Sequence, residues 1–284
     1  MLVFPRELNR YWIYPMLLLL VAELANNNTM SEAGSLGQRF VLDNGMVVLI
    51  EERPSLPLVT INGLVYAGSR VDPVAKAGLA NLVAELLIHG TQNRSADQIN
   101  ETIDYIGGSL NSGANRETAS LSLLILEKDL DLGLELLADV LMNPVFPEEE
   151  MTKKVKEVKT SLQKRKEDPA AIASDLFRET LYGNHWLGRL PEGREDTLEG
   201  IIRQDLLKFH STYYKPNNVI LSIVGAVKVQ ELIGKLQRVF NSWPKSELSE
   251  ATLPLPQGPS KTVYKTLDRP ITQASIILGH NGVS

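Results

Sequence analysis

The sequence contains no cysteine. That removes disulfides, thiolate nucleophiles, iron–sulfur clusters and every cysteine-based zinc site. It is compatible with a reducing or an oxidising compartment. Histidine is nearly as scarce. His89, His185, His210 and His280 are the only four, so any imidazole metal site must draw on them. Positive charge is not in surplus either. Twenty-nine basic residues against 34 acidic ones leave a net charge of −5, which argues against a nucleic-acid backbone as the partner. What remains is ordinary globular material: 43% hydrophobic and 22% charged residues, enough apolar content to exclude a disordered or low-complexity chain.

The first thirty residues stand apart. Arg6 and Arg10 precede an apolar stretch over residues 12–22, the order of a secretory signal. The stretch is shorter than the ~20 residues that span a bilayer. Ala22 and Ala25 are small, but Glu23 spoils the cleavage spacing, and Met30 offers a second start. Two expectations follow. Residues 1–30 are an export signal or a membrane tether through 12–25, which makes the product periplasmic or membrane-anchored; or translation starts at Met30 and the product is cytoplasmic.

Beyond residue 36 the pattern alternates between strand and helix. Asp43-Asn44-Gly45 between apolar runs predicts a hairpin over 39–50. Residues 58–66 alternate as a strand. Residues 78–89 carry a helical apolar stripe closed by Gly90. Ser95 caps a helix running to 106, and 109–125 reads as one strand or two. Helices are expected over 130–142, 147–166, 169–181, 201–214 and 229–240, with a buried strand at 218–224. Pro244, Pro254, Pro256 and Pro259 mark 244–260 as a linker, and 262–279 is expected to open a new strand pair. The fold class expected is α+β, an antiparallel-rich mixed sheet with helices on one face. The domain runs over 36–243, and 261–284 begins a second one, cut off.

The ordered series of short motifs is more specific than any member of it. It comprises Leu42-Asp43-Asn44-Gly45, Tyr66-Ala67-Gly68-Ser69-Arg70, Ala77-Gly78-Leu79-Ala80-Asn81, His89-Gly90-Thr91, Gly107-Gly108 before Asn111, Asp139 before Asn143-Pro144, Asp168-Pro169, Tyr182-Gly183-Asn184-His185-Trp186, and Phe209-His210 running into Tyr213-Tyr214-Lys215-Pro216. Taken together, the series resembles the N-terminal domain of the insulinase/pitrilysin peptidases, of the bacterial two-subunit and mitochondrial processing peptidase kind, over residues 36–284.

Catalytic members of that family carry His-x-x-Glu-His on a helix. Two imidazoles on one face bind zinc, the intervening Glu activates a water, and a Glu from a later helix completes the ligand set. Laid on this sequence, the resemblance puts Asn81 and Glu85 at the two His positions and Ala84 at the general-base position. The later ligand falls on Ser161, or on Glu157 in a register four residues earlier. The motif is degenerate, so the resemblance implies no metal and no zinc cofactor in this chain. Asn81, Glu85 and His89 also recur every fourth residue. That stripe reads as a solvated polar face, the rival being an irregular Glu85–His89 metal pair. His185 and His210 read as structural groups, packed and hydrogen-bonded.

The implied role is that of the non-catalytic subunit in a heterodimer with a zinc-bearing insulinase-family subunit. Two such chains enclose an extended peptide, gripped by backbone pairing to an exposed strand, here Ser109, Leu110, Asn111 and Ser112. Two rivals remain: a structural core-type subunit of a membrane respiratory complex, and a divergent metallopeptidase active by itself.

Overall fold

The computed structural model describes residues 37–247, 255–270 and 272–282. Its sheet has six strands: β1 (Gln38–Val41), β2 (Val47–Glu52), β3 (Leu58–Val65), β4 (Ser109–Ala114), β5 (Ala119–Leu126) and β6 (Val219–Gly225). The spatial order is β1-β2-β6-β3-β5-β4. β6 runs parallel to β2 and antiparallel to β3; β5 is antiparallel to β3 and β4. The strands alternate as a half-buried sheet must. Val48, Ile50, Val59, Ile61, Leu121, Leu123, Leu221 and Ile223 are buried, while Leu49, Leu64, Leu124 and Val224 are exposed on the opposite face. The helices therefore cover one face of an α+β mixed sheet, as the sequence pattern implies.

The described helices are α1 (Leu79–Leu86), α2 (Ala96–Tyr105), α3 (Leu130–Met142), α4 (Glu148–Arg165), α5 (Pro169–Tyr182), α6 (Glu195–Glu199), α7 (Arg203–Tyr213) and α8 (Val229–Phe240). None among the described residues is long and apolar enough to cross a membrane. The segment 12–25 lies outside the described residues. Two local devices deserve naming because they place α1 and α4. Gly78, at φ 101°, opens α1, and the Asp72 carboxylate accepts from the Gly78 and Ala80 amides at 2.9 Å each. Buried Phe146, at φ 47°, turns the chain into α4; Arg203 secures that turn by donating to the Val145 and Phe146 carbonyls.

Two expectations need correction. The helix read over 78–89 stops at Leu86, because the chain tightens: the Leu87 amide donates to Ala84 O and the His89 amide to Leu86 O. His89 is therefore not on a helical stripe. The strand pair read over 262–279 is not formed among the described residues, where Tyr264, Ile276 and Leu278 are exposed. A strand exists by pairing, and none of the described strands pairs with this segment.

Two buried titratable groups set an opposed pH response. Burial between the Phe146 and Tyr214 rings pushes His210 down to about 4, against the support of the Leu141 carbonyl 2.9 Å from its Nε2. The unfolded chain protonates this ring first, so its contribution is whole above pH 6.5 and is lost as pH falls towards 4. Burial lifts Asp72 to about 7, against the pull of the α1 amides and Arg189. Here the folded state holds the proton more tightly, so stability rises as pH falls from 7 towards 3.8. At about 1.4 kcal/mol per pH unit for each group, the two slopes cancel between pH 6.5 and 4.5. Asp72→Asn is expected to lose about 3 kcal/mol over that interval and His210→Gln to gain a similar amount. Urea melts at several pH values read both slopes; flat profiles in both variants would contradict this account.

Candidate functional site

α1 lies between the edge strand β4 and helix α4, in contact with each. Its apolar residues Leu79, Leu82, Val83 and Leu86 enter the core together with Ala84, and Asn81 is buried beside them. Asn81 Nδ2 donates to Glu85 Oε1 across one helical turn at 3.0 Å. The second oxygen of Glu85 faces α4, where the Lys154 ammonium stands 3.5 Å away. The same ammonium pairs with Glu157 at 2.7 Å. Burial works against the charge on Lys154, but Glu157 and Glu85 more than offset it and hold its pKa above the usual lysine value. Lys154 in turn holds the Glu157 carboxyl below the ordinary range.

The positions singled out in the sequence therefore fall as follows. Asn81, Ala84 and Glu85 share α1. Glu157 joins them through Lys154. Ser161 is exposed on α4 two turns further along, beside Lys153, Lys156, Thr160 and Lys164. His89 is drawn to α4 as well: its Nδ1 lies 3.0 Å from Glu150 Oε2, not against Glu85. Lys153 and His89 together keep Glu150 below the normal carboxyl range. Among the described residues no three His, Asp or Glu side chains converge as metal ligands would. The groups gathered around position 85 are the Asn81 amide, the Glu85 and Glu157 carboxylates and the Lys154 ammonium. Ala84 carries no group able to take a proton.

Sequence reasoning missed Lys154 and Glu150. Lys154 reads as part of a charge run and Glu150 as a helix-end acid. The available signal is spacing: Lys154 precedes Ser161 by seven residues, two helical turns, and so shares its side of α4. Lys154 is only 17% exposed at the side chain, unlike a solvated lysine.

Among the described residues β4 pairs with β5 alone, through Leu110↔Leu123 and Asn111↔Ser122, and is an edge of the sheet. Ser109 and Asn111 are exposed; Leu110 and Ser112 are partly covered. Their outer backbone groups form the row an extended chain can join. His185 accepts from the Leu187 amide at 3.3 Å and packs on Trp186, its ring centroid 5.4 Å away.

The model of the insulinase family (Peptidase family M16) matches residues 47–190, and that of the Peptidase M16 inactive domain matches residues 200–284. An uncharacterized zinc protease of Rickettsia bellii is 28% identical over 245 residues, 86% of this chain and 58% of that one. A probable mitochondrial-processing peptidase subunit beta of Arabidopsis thaliana is 27% identical over 199 residues, 70% of this chain and 38% of that one. The crystal structure of a peptidase M16 inactive domain from Pseudomonas fluorescens superposes with a TM-score of 0.73 at 25% identity, covering 78% of this chain and 54% of that one. The chain thus spans a little over half the length of the first curated relatives it matches.

Proposed function

The chain belongs to the insulinase family, peptidase family M16, and from that membership we propose that it is a non-catalytic subunit that completes a peptide-holding chamber with a zinc-bearing partner of the same family. One observation carries the reading. Where the second imidazole of the motif belongs, Glu85 stands ion-paired to the Lys154 ammonium. A fixed cation at that point opposes a metal ion, and Ala84 leaves no base to activate a water. Chamber completion gives such a chain a task even so. Ordering an extended peptide against a partner's zinc is positioning, which supplies a large share of catalysis. The β4 edge, Ser109 to Ser112, is the element suited to that grip.

The test is zinc content and peptide binding on the purified chain. Elemental analysis is expected to find no stoichiometric zinc, and the melting temperature is expected to be the same with and without a chelator. About one zinc per chain, lost on Glu85→Ala, would overturn the reading. The Asn115 amide donates to Thr118 O, so by alternation Asn111 bonds inward to Ser122 and the amides of Leu110 and Ser112 face outward. A proline at Ser112 removes one outward donor and is expected to weaken binding of an extended peptide.

A further inference from the structure

An ammonium has three N–H donors. On Lys154 two of them are directed to protein carboxylates, Glu157 at 2.7 Å and Glu85 at 3.5 Å. The third has no acceptor among the described residues, and the side chain is not sealed off from solvent. Of the two carboxylates, Glu157 is largely exposed and Glu85 is itself positioned. Glu85 is held by the Asn81 amide, and Asn81 is buried on a helix whose entry is clamped by Asp72 and by the Thr197 hydroxyl on the Ala77 carbonyl. The ammonium is therefore not a free arm. It is a charged donor fixed at the junction of α1 and α4, next to the helix that lies against the edge strand.

We propose that the Lys154 ammonium binds a backbone carbonyl oxygen of the peptide held on β4. This inference rests on the edge-strand reading given above and adds a named polar contact to it. A carbonyl oxygen is the acceptor that every extended peptide presents at regular intervals, whatever its side chains. A charged donor fixed in place gives a stronger hydrogen bond than a neutral one. Because Ala84 stands where a base would, the same contact polarises the carbonyl without leading to its hydrolysis. The site grips and does not cut.

The experiment is fluorescence anisotropy of a labelled, uncharged, extended peptide with the full chain. Four variants are compared with wild type: Lys154→Met, Lys154→Arg, the charge-balanced double variant Glu85→Gln/Lys154→Met, and Ser112→Pro. Circular dichroism verifies folding, and the double variant guards against instability from a carboxylate left without its cation. Loss of one charge-assisted hydrogen bond is expected to weaken binding about tenfold in both Met variants, with Lys154→Arg near wild type. Wild-type affinity in both Met variants, alongside weakened binding in Ser112→Pro, overturns the carbonyl contact and leaves the edge grip standing. No peptide binding by wild type at all overturns both.

Discussion

Writing the zinc motif back into α1 is expected to fail. The variant Asn81→His, Ala84→Glu, Glu85→His with Ser161→Glu carries every residue type that the catalytic pattern asks for. It retains Lys154, whose ammonium stands beside position 85. A unit positive charge about 4 Å from a dication costs several kcal/mol at an effective dielectric constant near 20, enough to remove stoichiometric binding. The fourfold variant is therefore expected to hold no zinc and to show no peptidase activity above a blank. Adding Lys154→Leu is expected to restore metal binding, measured by elemental analysis after dialysis. On the proposed reading the unaltered chain has neither base nor metal; a positioned base alone contributes roughly 10²–10⁴-fold, so no cleavage is expected from it either. Mixed with a zinc-bearing family member from the same source, it is expected to raise that partner's peptidase rate. Chelator-sensitive cleavage by the unaltered chain, with contamination excluded, would refute the non-catalytic reading.

Asp139→Ala is expected to be the most destabilising single substitution outside the apolar core. The carboxylate is 4% exposed and gathers four donors: Thr91 Oγ1 at 2.7 Å, Asn93 Nδ2 at 2.6 Å, an Arg94 guanidinium nitrogen at 2.8 Å and Asn143 Nδ2 at 3.1 Å. Burial alone would raise its pKa, but these four hold it below the ordinary carboxyl value. Removing the acceptor leaves Arg94 without its counter-ion and three polar groups without their shared acceptor. Breaking such a network costs about 3–5 kcal/mol, or roughly 10 °C in melting temperature. Lys159→Ala makes the control. Its pair with Glu199, though short at 2.6 Å, is solvated, and exposed pairs contribute less than about 1 kcal/mol. Thermal melts of the two variants side by side decide the matter: equal shifts would mean that Asp139 is not a hub.

Much of this fold was legible because its signals are local. Asn44-Gly45 announces the first hairpin, Ser95 with Gln98 forms the capping box of α2, and apolar alternation marks the buried face of β3 and β5. The motif helix was legible through its Gly78 entry and apolar stripe, although its early end was not: the tightened last turn depends on where His89 is pulled, and Glu150 lies 61 positions away. The central place of β6 was not legible either. A short buried strand looks the same from its own residues wherever it enters a sheet, and parallel pairing with β2 is a contact between residues 47–52 and 220–225. Lys154 escaped notice because the two-turn spacing that puts it on the side of Ser161 is one of several in a run of lysines; its partner Glu85, on another helix, is what separates it from the solvated ones.

That late central strand bears on how the chain leaves the ribosome. β2 and β3 do not touch each other across the sheet; β6 fills the space between them. A nascent chain that has emerged only through α7 carries β2 and β3 each with an inner edge unsatisfied, and the buried faces of Val48, Ile50, Val59 and Ile61 open to whatever is near. Such edges invite pairing with other chains, and sheets closed by contacts so distant in sequence form slowly. Synthesis beyond Gly225 is thus a checkpoint for this sheet: before it β2 and β3 keep open inner edges, and after it β6 is there to fill the space between them.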